Sequence, residues 1–457
     1  MKQTHLWLMS FSTLLMFGFM LVGASEDIPI TIANQGQLAP RGVSDGVGGT
    51  VVIWEDFRTG KDWDVYAQRF NPDGIPLWAE DGVPICEKKR DQRWLRMVRN
   101  GTRIIIAWTD QCAPGNWDVY AQTIDLSGNK LMPDGGAPVC THPADQSDIE
   151  MLSDGSGGAI IVWKDRRRDP DLHDLYVQRI NVDGQPMWEL DGVPVFPSEA
   201  LQSTPRLVSG DADSFYVVWW EVVGYERWDI MVHRIGMDGK HLWHAPTVVS
   251  PMEGLQGEPR AVSDGQGGLI VVWQIYENFI NDDFYAQRID SVGNKVWELN
   301  GVPICKAEGI QKNRAITSDG HGGVVAVWRD ERDVFSDLYA QRIGADGIPR
   351  WRTNGIPLCV AGGYQDKPFL TRCGENEFFV AWLDFREDYG GESNDAIYGQ
   401  KINLEGKALW NENGIPLCTA DGVQQPPYVI ESKSGQLSVV WSDARSDIGD
   451  IYMYRLK

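Results

Sequence analysis

Apolar residues in this chain come in short continuous runs that end on tryptophan, as in Val51-Val52-Ile53-Trp54, and the run returns at a nearly constant interval. Trp54, Trp108, Trp163, Trp219, Trp273, Trp328, Trp382 and Trp441 lie 54 to 59 residues apart. A second marker keeps the same register: Gln37, Gln92, Gln146, Gln202, Gln256, Gln311, Gln365 and Gln424 each precede their tryptophan by 17 residues, or 16 for Gln92. Two independent markers therefore define eight units, and a period near 50 predicts a propeller or a solenoid. Helical periodicity is almost absent beyond residue 24.

Each unit reads as four short strands. The first follows the glutamine and ends in a glycine turn, spelled Ser-Asp-Gly-x-Gly-Gly at residues 44–49, 153–158, 263–268 and 318–323. The second is the apolar run, whose lack of alternation implies burial on both faces. The third is typified by Asp64-Val65-Tyr66-Ala67-Gln68-Arg69 and ends in an Asp-Gly type turn such as Asp73-Gly74. A segment ending in Trp78, Trp188, Trp243, Trp297, Trp351 or Trp410, with Met132 in unit 2, leads to a fourth strand of the form Gly-Val-Pro-Ile-Cys. Proline suits an outer edge strand. The last unit stops at its third strand, and Ile28-Pro29-Ile30 resembles the missing fourth. The expected fold is all-β: an eight-bladed β-propeller of four-stranded blades, closed by the N-terminal strand completing the last blade, which leaves no exposed sheet edges at a seam.

The N-terminus adds an export expectation. Lys2, an apolar run from Leu6 to Val22 and the small residues Gly23, Ala24 and Ser25 have the form of a signal peptide cleaved after Ala24. The expected organisation is a signal at 1–24 and a single propeller domain at 25–457, secreted or periplasmic, with no integral span once the signal is removed. A net charge of −22 argues against nucleic acid and anionic membrane as partners. Of seven cysteines, Cys86, Cys140, Cys305, Cys359 and Cys418 share one repeat position. Facing sheets stand about 10 Å apart, beyond disulfide reach, so these read as buried small apolar residues. Cys112 and Cys373 fall outside the pattern and are not paired by it.

The run from Ser318 to Gly347, with its Ser-Asp-Gly turn, apolar strand, Asp-x-Arg, Asp-x-Tyr and Asp-Gly, resembles TolB-type, WD40-like propeller repeats. Gly406-Lys407-Ala408-Leu409-Trp410 is similar to the tryptophan-docking motif of eight-bladed quinoprotein dehydrogenases, where such rings wedge between blades. The adjacent cysteines and the Asp, Glu and Asn cluster that would hold quinone and calcium have no counterpart in this chain. The whole unit resembles the long repeats of bacterial exported propellers, which implies export and a ring rather than a reaction.

A residue present in most units reads as architecture. Trp-x-Asp-x-Arg recurs five times, at Trp54, Trp163, Trp328, Trp382 and Trp441, and predicts Asp–Arg pairing within the hairpin. The eight glutamines are expected to bond to loop backbone, with a polar ring lining a channel as the alternative. Subtracting these and the docking tryptophans leaves, beyond residue 24, Trp63, Trp94, Trp117, Trp220 and Trp228, confined to units 1, 2 and 4. Trp63, Trp117 and Trp228 each precede the aspartate that opens the third strand, and Trp220, Tyr225, Tyr276 and Phe279 stand where units 4 and 5 lose Trp-x-Asp-x-Arg. Flat rings beside carboxylates and amides suit a glycan, peptide or protein ligand. The sequence thus favours a non-enzymatic binding or scaffold module. The alternative is a glycan-cleaving propeller using Glu221, Glu226 and Glu277 as acid and base. No cofactor is expected. The histidines show no metal-ligand spacing, and Asn281-Asp282-Asp283 lacks an EF-hand pattern, leaving calcium there as an open alternative. Arg166-Arg167-Arg168 reads as a solvated hairpin.

Overall fold

The computed structural model describes residues 27–224, 226–276, 281–386, 395–432, 435–445 and 448–456. The signal segment, Tyr225, Glu277 and Phe279 lie outside these described residues. The described chain is all-β, with no helix, and is organised as successive four-stranded antiparallel sheets. Repeat 1 shows the plan: Gln37–Ser44, Thr50–Asp56, Asp64–Phe70 and Val83–Cys86 pair in chain order. The sheets of repeats 4 and 5 are joined through one parallel bridge between Trp228 and Leu255.

The second strands carry the core. Thr50–Asp56 is buried along its whole length, and all eight marker tryptophans are fully buried. Adjacent sheets share mixed clusters, so each sheet's two faces are covered by its neighbours. Gly82 shows how tightly the tryptophan is held. With φ at +85°, its place could not accept a Cβ, which would stand 2.5 Å from Trp54 Cη2.

The Trp-x-Asp-x-Arg motif forms the expected pair and adds a third member. Trp54 Nε1 donates to Asp56 Oδ2 at 2.7 Å, and Arg58 donates to both carboxylate oxygens while its guanidinium lies 3.8 Å from the Tyr66 ring centroid. The buried aspartate is thereby saturated by an indole and a fork of N–H groups. The marker glutamines donate to loop carbonyls, as Gln256 does to Met252 at 2.7 Å and Gln92 to Arg90 at 2.7 Å. Five of the six docking tryptophans, Trp78, Trp188, Trp243, Trp297 and Trp351, bridge sheets through the indole N–H: Trp78 Nε1 donates to Leu126 of the following repeat at 3.2 Å, and Trp297 to Ala345 at 3.0 Å. The seven cysteines are free thiols, six of them buried.

The strand Ile28–Thr31 pairs antiparallel with Asp450–Arg455, with Ile28 opposite Met453 and Thr31 opposite Ile451. Asp27 bridges Arg445 at 2.9 Å. Ile30, Ile451 and Met453 share one cluster with Val52, Trp54 and Phe70 of repeat 1. First strands of successive repeats lie side by side, and Gln37–Ser44 also lies beside Tyr428–Glu431 of the last repeat. Consecutive four-stranded sheets packed face to face are the arrangement of a β-propeller.

Candidate functional site

Seven first strands contain the same irregularity. Their pairing with the second strand slips between the residue after the glutamine and the residue four beyond it, as between Leu38 and Arg41 or Ser203 and Arg206. The residue at the slip adopts positive φ without being glycine: Ala39, Trp94, Asp148, Thr204, Glu258, Asn313 and Lys367 all lie between 50° and 57°. Each such conformation costs on the order of 1 kcal/mol, and bulges characteristically re-aim neighbouring side chains.

What the bulges turn inward is cationic. A cavity of about 730 Å³ is lined by first-strand residues of all eight repeats, among them Arg41, Arg96, Arg206, Arg260, Arg314 and Lys367, with Glu150 as its one lining carboxylate and Tyr428 as its one lining phenol among the described residues. Glu150 accepts from Arg96 and from Arg206, each at 3.2 Å. Arg41 donates to its neighbouring carbonyl of Pro40 and lies 5.4 Å from the Tyr428 ring centroid. Arg314, only 7% exposed, makes one long bond to Gln274 Oε1 at 3.4 Å and leaves Nε and one terminal nitrogen without a partner. Burial, reinforced by the charge of Arg260, pushes the Arg314 pKa down to about 9. Burial and Arg206 push that of Arg260 down to about 10. A guanidinium cluster this short of counter-charge is unfavourable in the folded protein, and such penalties concentrate where a ligand relieves them.

The predicted aromatic residues lie outside the cavity lining, near the bulged ends of the first strands, with Trp220 opposite Ser203 and Tyr276 opposite Leu255. The second-to-third-strand hairpins of repeats 2 and 4 are longer than that of repeat 1, reaching Ala113 and Gly224. On them, Trp117 meets Trp94 edge-on at 4.8 Å, and Trp220 stacks on Trp228 at 4.6 Å and 18°. Trp94 is itself a bulge residue two positions before Arg96, and it is 48% exposed. Trp220 Nε1 donates to Thr204 Oγ1 at 3.0 Å, two positions before Arg206. Tyr276 meets the Trp228 ring at 6.4 Å, and its ring lies 3.0 Å from where a Cβ on Gly257 would stand. Trp63 is set apart: it packs on Phe57 and lies 4.5 Å from the Arg93 guanidinium, closing its own loop. Structure thus brings together Trp117 with Trp94, and Trp220 with Trp228 and Tyr276, and leaves Trp63 outside both groups.

Of the glutamates expected as acid and base, Glu277 lies outside the described residues, and Glu221 and Glu226 stand in different surroundings. Glu221 replaces the motif aspartate of repeat 4, accepting from Trp219 Nε1 at 3.1 Å and from Gln202 at 3.4 Å. Glu226 lies exposed in a turn. The alternative of glutamines lining a channel also yields: that lining belongs to arginines. Those arginines were missed, although Arg41, Arg96, Arg206 and Arg260 each follow a marker glutamine by four positions, with Glu150 interrupting the series. The whole-chain charge of −22 concealed them.

No protein-family model matches the chain, and no curated protein matches it. The resemblance to TolB-type repeats therefore rests on the repeat residues alone. Solved structures do match in fold. The polysaccharide lyase Uly1 aligns at 10% identity over 84% of this chain and 93% of its own, with a TM-score of 0.48. The lectin BP39L from Burkholderia pseudomallei aligns at 12% identity over 84% and 99%, TM-score 0.46. The α-L-arabinofuranosidase Arb93A from Fusarium graminearum aligns at 10% identity over 83% and 96%, TM-score 0.40. An endo-arabinase from Bacteroides thetaiotaomicron and an ulvan lyase also match, beside the two enzymes above. The expectation of a non-enzymatic binding or scaffold module is corrected to this extent: several of the structures that match are themselves described as glycan-cleaving enzymes. At these identities and TM-scores the likeness concerns the fold, and the chemistry has to be argued from this chain's own residues.

Proposed function

We propose that the chain is an exported, closed eight-bladed β-propeller that cleaves a polysaccharide held at the mouth of its arginine-lined cavity. Closure is supported by the pairing of Ile28–Thr31 with the last repeat and by the contribution of all eight first strands to one cavity. Export is supported by the apolar run from Leu6 to Val22. The observation that carries the functional reading is the placement of two aromatic groups, Trp94 with Trp117 and Trp220 with Trp228 and Tyr276, beside the strand segments that line that cavity. Aromatic faces cover the apolar faces of sugar rings, while the polar wall fixes orientation.

Glu150 and Tyr428 are the cavity groups suited to proton transfer. The Tyr428 phenol, protonated at neutral pH, donates its proton to the leaving glycosidic oxygen as the bond from that oxygen to the sugar breaks. Glu150, bridged to Arg96 and Arg206, takes a proton from the attacking water, whose oxygen forms the new bond to the sugar carbon, and solvent then returns that proton to the Tyr428 phenolate. A panel of polysaccharides assayed for released oligosaccharide tests this reading. Product is expected from at least one substrate, with turnover lost in Glu150→Gln and Tyr428→Phe while binding persists. Product formation undiminished in both variants, or no product from any polysaccharide, would contradict it.

A further inference from the structure

The cavity's charges are not evenly compensated. Glu150 is shared by Arg96 and Arg206, so the part of the wall formed by repeats 2, 3 and 4 holds its own counter-ion. Toward repeats 5 and 6 no carboxylate bridges the arginines among the described residues, and the exposed Glu258 acts on Arg260 and Arg314 only at longer range. Arg260 is open to the solvent of the cavity and has no side-chain hydrogen bond among the described residues, and Arg314 is buried with two of its nitrogens unpartnered. These two guanidinium groups sense each other's charge. Tyr276, the end of the aromatic group that begins at Trp220, senses the charge of Arg314.

A buried, under-bonded guanidinium next to a second one is costly unless something anionic completes it. The planar fork of arginine matches the two oxygens of a carboxylate or two of a sulfate. With a volume of about 730 Å³ the cavity is in the range of sites that enclose small ligands, and so can admit a short stretch of chain. In a protein of net charge −22, a polyanion would be drawn to this cavity and repelled elsewhere.

We infer that Arg260 and Arg314 form a receptor for the acidic group of a uronate- or sulfate-bearing polysaccharide, whose neighbouring sugar rings lie on Tyr276 and Trp228. The inference rests on the polysaccharide reading above and adds the substrate's charge. Arg260 supplies the solvent-facing fork and Arg314 the buried one. Glu150 limits the receptor to this side by neutralising Arg96 and Arg206.

Calorimetric titration of the whole mature chain with a polyuronate oligomer, a sulfated glycan and a neutral glycan of similar length tests it. The acidic oligomers are expected to bind at least tenfold tighter than the neutral one at moderate salt. Arg260→Gln and Arg314→Met should each abolish that preference, and Glu150→Gln, which frees two further arginines, should increase it severalfold. Arg260 reaches solvent, so its variant is expected to fold, and Arg314→Met removes an unpaired buried charge. The uronate and sulfate arms report which acid the receptor prefers, and tighter binding of either supports it. Equal affinity for acidic and neutral oligomers, or a preference that survives both arginine variants, would overturn the inference and leave the polysaccharide reading standing. Binding of none of the three would overturn that reading, and the inference with it.

Discussion

Trp220 and Trp228 stack at 4.6 Å with an interplanar angle of 18°, joined across the long hairpin of repeat 4 and anchored by the bond from Trp220 Nε1 to Thr204. Trp220 packs against the core cluster shared by repeats 4 and 5, so it serves as the support and Trp228 as the presented ring. Trp228→Ala is therefore expected to weaken polysaccharide binding by about 2 kcal/mol, roughly 30-fold, with little change in melting temperature. Titration beside thermal unfolding separates the two effects. An unchanged affinity would remove the ring from the site.

The repeat architecture makes a different demand on Asp165. It accepts from Trp163 Nε1 at 2.9 Å and from both ends of the Arg167 fork, and it is fully buried. Asp165→Ala leaves a guanidinium and an indole N–H without their acceptor, with an expected loss of about 3–5 kcal/mol in denaturant unfolding. A loss below about 1 kcal/mol would show that the triad is ornamental to stability.

These two sites differ in how they could be read from the chain. Asp165 belongs to a pattern repeated in five units, and repetition at fixed spacing is visible without coordinates. Trp228 could be singled out by subtraction, because it breaks the pattern. The partners that give it a role could not: Trp94 reaches Trp117 only because its backbone is turned into the left-handed region at a bulge. Tyr276 joins Trp228 from a neighbouring repeat. Most of the arginine wall was legible in register but hidden by net charge, since 64 acidic residues against 42 basic ones set the sum for the chain while six cations gather in one cavity. Glu221 misled because it departs from the repeat in identity while keeping the same structural duty under Trp219.

Asp64 predicts a pH dependence. Burial, then the charges of Glu87 and Asp56, raises its pKa from 3.8 to about 7. The folded state thus holds this proton more tightly than the unfolded chain. Its stabilising contribution is complete below about pH 4 and is lost as pH rises through 7. Asp64→Asn should therefore gain stability over the parent at pH 8 relative to pH 5, on the order of 1 kcal/mol. Urea unfolding at the two pH values checks the sign, and an equal difference at both would contradict it.

The seam between the chain's ends predicts a loss on truncation. Removing residues 27–32 deletes buried Ile30 and the Asp27–Arg445 bridge, and bares the edge of Asp450–Arg455. A fall in melting temperature on the order of 5 °C or more, with aggregation through the open edge, is expected by scanning calorimetry and light scattering. An unaltered melting temperature would argue against a closed ring.

The most direct test of the account is a crystal structure of the Glu150→Gln protein soaked with a short acidic oligosaccharide. The account predicts sugar density in the cavity lined by the eight first strands, with an acidic group against Arg260 and Arg314 and a ring over Trp228 or Tyr276. Density confined to another face, with the cavity holding only solvent at saturating ligand, would contradict it.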